Sequence, residues 1–173
     1  MKVAVAVDDS DFSRHAVAWV LDHLFFPSPD ADQPAAEPRP ELVLVHALEP
    51  LRHIMYPVGP GSAVYGAPSM MESVRAAQAE NARSLLDRAK RICHKQGVSA
   101  EAVVVEGEPR EALCRAADDM GAGLLVVGSR GLGAIKRAFL GSVSDYCAHH
   151  ASCPIMVVKP PRDDGHRAHH AAS

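Results

Sequence analysis

Leu124-Leu125-Val126-Val127-Gly128-Ser129-Arg130-Gly131 runs through Leu132 to Leu140 into Gly141-Ser142-Val143. A short, continuous apolar run of this kind is a strand buried on both faces. The glycine-punctuated loop after it, closed by Gly-Ser at the start of a helix, has the layout of a phosphate cradle. Glycine permits positive φ and lets an anion approach peptide N–H groups with no Cβ in the way. Ser142 adds a hydroxyl where a helix leaves its first N–H groups unpaired and its dipole favours negative charge. The stretch therefore points to a nucleotide or another phosphorylated ligand.

Working outward, strands and helices alternate along the whole chain. Lys2 to Val7 reads as a strand ending at the turn Asp8-Asp9-Ser10. A helix from Ser13 to Phe25, with Ser13 as N-cap, sets Val17, Val20, Leu21 and Leu24 on one face. Pro27 to Pro40 is a proline-rich insert expected to be extended and mobile. Glu41 to Ala47 is a second buried strand, and Leu48 to Met70, rich in Pro and Gly, reads as a long surface loop. Tyr56 and Tyr65 of that loop stand where a lid could form. Met71 to Gln96 makes the longest helix, stopped by Gly97.

In the second half, Ala102 to Val105 is a strand and Gly107-Glu108-Pro109 a turn. Arg110 to Met120 is a helix closed by Gly121, and Ser142 to His150 is a short helix. Pro154 to Pro160 forms a last strand whose flanking prolines suit an edge. Five strands among four helices imply an α/β, doubly wound (Rossmann-like) parallel sheet with helices on both faces. One domain, 1–160, and a disordered tail, 161–173, account for the 173 residues. Asp8, His46-Ala47 and Gly128 fall at or just past strand ends, where such sheets bind ligands.

Other chemistries find less support. The formal charge of −3 carries no basic stripe, and aromatic residues are sparse, so nothing favours nucleic acid as a partner. No window is long and apolar enough for a membrane helix, and the first strand reaches Asp8 too early for a signal peptide. The reading is a soluble, cytoplasmic protein. Cys93, Cys114, Cys147 and Cys153 include no Cys-x-x-Cys pair. Cys147 to Cys153 contains metal-ligand types, but it crosses a helix end and a turn, so its side chains need not converge. His166, His169 and His170 lie in the polar tail, where a specific metal site is not expected.

The loop lacks the spacing of a Walker A motif, and Lys136 stands where a dinucleotide fingerprint beginning at Gly131 needs its third glycine. What remains is Gly128-x2-Gly131-x9-Gly141-Ser142, which resembles the signature of the ATP-binding branch of the universal stress protein family. Val5-Ala6-Val7-Asp8-Asp9-Ser10, Leu44-Val45-His46-Ala47, Gly107-Glu108-Pro109 and Pro154 to Lys159 are similar to further family segments in the same order. This resemblance implies that Asp8 and the main chain of Ala47 hold a nucleoside, while Gly128, Gly131, Gly141, Ser142 and the Val143 N–H surround phosphates. The ligand it implies is ATP or AMP, with Mg or Mn accompanying the phosphates. A stress-response sensor or regulator follows, assembled as a homodimer through Pro154 to Pro160; the alternative is a slow ATP hydrolase or phosphotransferase. Arg130, Lys136 and Arg137 place cations around the loop, facing either phosphate or water.

Overall fold

The computed structural model describes residues 1–25, 40–51, 55–59, 62–65, 68–130 and 140–160. The insert from Pro27 to 39, Gly131, Lys136, Arg137 and the tail 161–173 with its histidines lie outside the described residues. Seven strands and four α-helices are described: β1 Lys2–Ala6, α1 Asp11–Val20, β2 Glu41–Leu48, β3 Met55–Gly59, β4 Ser62–Tyr65, α2 Pro68–Lys95, β5 Ala100–Glu106, α3 Pro109–Asp119, β6 Leu124–Gly128, α4 Ser142–His150 and β7 Ile155–Val158. Five of them form one parallel sheet in the order β5-β2-β1-β6-β7. This is the doubly wound fold that the alternation implies.

Strand period explains how the sheet is covered. Val3, Val5 and Val7 point to the face carrying Ala16, Val17 and Val20 of α1 and Leu85, Leu86, Ala89 and Cys93 of α2. Ala4, one residue out of phase, faces Leu113, Cys114, Ala116 and Ala117 of α3 and Cys147 of α4. Val3, Ala4 and Val5 are each 0% exposed, so β1 is the centre of the fold. From β1 the chain steps outward to β2 and β5, then returns across β1 to β6 and β7. Right-handed crossovers in opposite directions place the two helix pairs on opposite faces. The reversal lies between β1 and β6, so the carboxyl ends of those strands border the crevice of the sheet.

Local chemistry sets the element ends. Gly97 and Gly121 have φ of 72° and 62°, the left-handed geometry that stops α2 and α3. After Gly97, the Val98 N–H donates to the Cys93 carbonyl; after Gly121, the Ala122 N–H donates to the Ala117 carbonyl. The cap of α1 is Ser10, not Ser13: the Ser10 side chain accepts from the Ser13 N–H at 3.1 Å. Ser13 is buried within the first turn, where its hydroxyl accepts from the Asp8 N–H at 3.0 Å. Beyond Val20 the helix loosens into one π-helical turn, Leu21–Phe25.

Two further differences concern the stretch read as a loop. Met55–Gly59 and Ser62–Tyr65 pair as an antiparallel hairpin, and α2 begins at Pro68 rather than Met71. Proline and glycine punctuate hairpins as well as loops, and Pro at the first helical turn needs no N–H partner. Among the described residues no helix is long and apolar enough to cross a membrane.

Candidate functional site

The crevice is built from three backbone segments that meet at the reversal point. The first follows β1. Val7 continues the pairing beyond the strand, its N–H donating to the Val45 carbonyl at 2.8 Å, so Asp8 stands level with Ala47 of β2. The Asp8 Oδ1 atom accepts from the Ser10 N–H at 3.0 Å and also from the Ser10 hydroxyl. One carboxylate oxygen thus shapes the turn that caps α1, and among the described residues no hydrogen bond uses Oδ2. The turn role and a ligand role for Asp8 are compatible. His46 Nδ1 lies 2.7 Å from the Val7 carbonyl and ties the end of β1 to β2.

The second segment is the end of β6. A Cβ placed on Gly128 would lie 2.9 Å from the Phe12 carbonyl carbon and oxygen and 3.2 Å from the Phe12 Cβ. Gly128 is glycine because the first turn of α1 sits on it. That is a reason in packing, separate from anion approach. Its φ is not positive, and Gly141 has φ −75° and ψ 158°, an extended geometry open to most residues. Conformational freedom, the reason read from the sequence, therefore explains neither of these two glycines.

The third segment is the return from the loop. The Gly141 N–H donates to the Ser129 carbonyl at 2.8 Å, and the buried Ser144 hydroxyl donates to the same carbonyl at 3.2 Å. These bonds pinch the ends of the 130–140 segment together and aim α4 from a fixed point. Gly141 is the N-cap of α4, without a side-chain capping bond, so Ser142 occupies the first helical position with its side chain exposed. Its hydroxyl is not the cap. The N–H groups of Ser142, Val143 and Ser144 have no partner within the helix, which leaves a partial positive charge at this corner. Arg130 adds a cation whose guanidinium carbon lies 5.8 Å from the centroid of the Phe12 ring.

Of the residues expected at a ligand, the structure brings Asp8, Ala47 and Gly128 to adjacent strand ends and puts Gly141, Ser142 and Val143 at the start of α4. Gly131 lies outside the described residues. Sequence reasoning gave Ser13 a capping role, placed Ser129 and Ser144 in the glycine loop and its motif without a role of their own, and did not single out Phe12. Asp8 and Ser10 are two apart, the spacing of a side-chain-capped turn, and that signal could have identified Ser10 as the cap. No sequence signal identifies Phe12, because its contact with Gly128 is made by backbone. Asp9 stands nearby, but its carboxylate is 3.2 Å from both Arg14 and Arg88, in an exposed cluster. Among the described residues no group of three His, Cys, Asp or Glu side chains could hold a metal.

Comparison with known proteins agrees with this fold. The chain is 34% identical over 102 residues to Universal stress protein A-like protein of Arabidopsis thaliana, covering 59% of this chain and 58% of that one. It is 34% identical over 165 residues to Universal stress protein PHOS34 of the same plant, covering 94% of this chain but 63% of the relative. The matches thus span 58% and 63% of these relatives' own lengths. Among solved structures, an Arabidopsis thaliana universal stress protein family protein with AMP bound superposes with a TM-score of 0.63 at 27% identity, covering 94% of each chain. The model of the universal stress protein family matches residues 1–159. The match runs the length of the five-stranded sheet: the chain belongs to the universal stress protein family.

Proposed function

We propose that this chain binds an adenine nucleotide, AMP or ATP, between the carboxyl ends of β1 and β6, and serves as a stress-response sensor or regulator. The observation that carries the reading is the convergence of Asp8, the Gly128 strand end and the α4 N-terminus at the reversal point of the sheet, with the Ala47 strand end beside Asp8. The AMP carried by the Arabidopsis family member supports the ligand class. Asp8 Oδ2 is suited to accept from a ribose hydroxyl or an amino group, and the Ala47 main chain to read the nucleoside. The Ser142 and Val143 N–H groups and the Ser142 hydroxyl would meet phosphate oxygens, with Gly131 in the loop between. Mg or Mn would be held mainly by the phosphates, as no set of three ligands is arranged for it among the described residues.

A regulator fits better than a fast enzyme, because Asp8 is taken up by Ser10 through Oδ1 and by the proposed nucleoside through Oδ2, and Asp9 by two arginines. Neither is a ready general base. Four free thiols suit a cytoplasmic setting. Assembly is proposed through β7, which among the described residues pairs only with β6 and leaves its other edge open. Native mass spectrometry of freshly purified protein, followed by calorimetry with AMP and with ATP, tests the ligand. Retained nucleotide or saturable binding supports the reading; neither at millimolar nucleotide would remove it. Turnover of ATP that disappears in Ser142→Ala would instead favour the hydrolase.

A further inference from the structure

On the sheet face opposite α1, two thiols from different helices meet. Cys114 Sγ of α3 lies 3.6 Å from Cys147 Sγ of α4, and both residues are buried. Cys147 Sγ also lies 3.8 Å from the Arg110 carbonyl, at the start of α3. A disulfide requires the sulfurs to approach to about 2.05 Å, a closure of about 1.6 Å that side-chain rotation and a small helix shift can supply. A third thiol, Cys153, packs against the same apolar cluster and is partly exposed.

We propose that Cys114 and Cys147 form a reversible redox site, closed by hydrogen peroxide into a disulfide that ties α3 to α4, with Cys153 as the point of entry. The Cys153 thiolate attacks peroxide; an S–O bond forms, the O–O bond breaks, and the departing hydroxide takes a proton to become water. Cys114 then attacks the sulfenic sulfur, its proton leaving with the hydroxyl as a second water, to give a Cys153–Cys114 disulfide. Cys147 attacks Cys114 Sγ, and Cys153 departs as a thiolate that takes the Cys147 proton. Two thiols and one peroxide yield one disulfide and two waters. Burial, with the Cys114 hydrogen bond next, pushes the Cys147 thiol up to about 12, which makes it a poor first target for peroxide and accounts for the need of an exposed entry thiol. The bond would fix α4, whose first turn borders the crevice, to its neighbour.

The test uses the reduced full-length chain, treated with hydrogen peroxide, blocked with iodoacetamide, digested and mapped by mass spectrometry. A peptide linking Cys114 to Cys147, lost again on dithiothreitol treatment, is the expected result. Cys153→Ser should slow its formation roughly tenfold while leaving the final pairing unchanged, and Cys93→Ser should have no effect. A native chain that never yields this peptide, or yields it only after denaturant is added, overturns the redox site. An undiminished rate in Cys153→Ser overturns the entry role. Since the mapping is done on unmodified protein, it does not depend on any variant folding, nor on nucleotide binding.

Discussion

Replacing Gly128 by alanine separates two reasons for a glycine at the end of β6. The added Cβ would stand 2.9 Å from the Phe12 carbonyl carbon and oxygen. Ordinary carbon contacts lie at about 3.5 to 4.0 Å, so α1 would have to retreat by roughly 0.6 Å or more. The obstacle is helix backbone, which cannot swing aside as the tip of a side chain does. Moving Phe12 also moves the adjacent turn, where Ser10 caps α1 at 3.1 Å and Asp8 receives the Ser10 N–H at 3.0 Å. Overpacking of this kind costs about 1–3 kcal/mol, and loss of the Ser10 cap would add about 1 kcal/mol.

Gly128→Ala should therefore lose about 2–4 kcal/mol in urea unfolding, seen as a lower midpoint with unchanged slope. Nucleotide affinity would fall with it, because the displaced turn carries Asp8. A variant within about 0.5 kcal/mol of the parent that also binds normally would refute the packing argument. Unchanged stability with lost affinity would restore the older reason, close approach of an anion to the backbone.

Three further outcomes follow from particular contacts. Ser142→Ala should weaken nucleotide binding by about 1–3 kcal/mol in calorimetry, provided its hydroxyl meets a charged oxygen; since Gly141 is the cap, thermal stability should not move, and a stability loss without a binding loss would contradict both assignments. In β7 the Pro154 and Val158 carbonyls bond to β6, so by strand alternation the N–H and C=O of Ile155 and Val157 face the open edge. Val157→Pro should leave the sheet intact but remove two symmetry-related bonds from a homodimer, about 1–3 kcal/mol or roughly 5- to 150-fold in dissociation constant; unchanged sedimentation would exclude this edge. Because Cys147 is raised from an ordinary 9.0 to about 12, the unfolded chain ionises first as pH rises, and stability should fall between those values. The slope is at most about 1.4 kcal/mol per pH unit and should flatten in Cys147→Ala, as read from urea midpoints; parallel slopes would assign the loss to another group.

What could be read from the sequence, and what could not, divides along a physical line. Apolar runs such as Leu42 to Val45 and Leu124 to Val127 identify strands because a strand buried on both faces has no polar alternation, and the order of elements then dictates a parallel sheet. The ends of α2 and α3 were equally legible, since Gly97 and Gly121 announce left-handed stops. The start of α1 was not. Two serines three residues apart both suit a cap, and the choice of Ser10 depends on Asp8 bending back to it. The β3–β4 hairpin was hidden for the converse reason: among the described residues, Pro57 and Gly59 lie within a strand that pairs only with its own hairpin partner, where the usual penalty on proline is relaxed.

The site shows the same division more sharply. Residue types and spacing point to one neighbourhood, because glycines and a serine before a helix are a local pattern. The roles within that neighbourhood are set by long-range contacts. Gly128 and Phe12 are far apart in sequence, and their contact involves backbone atoms that any residue at position 12 would supply. Ser144, buried where Ser142 is exposed, bonds to the carbonyls of both Ser129 and Gly141, so the serine that matters for shape differs from the one suited to touch a ligand. A single-residue scan of this loop should therefore separate into two classes. Gly128 and Ser144 variants should lose stability and binding together, whereas Ser142 variants should lose binding alone.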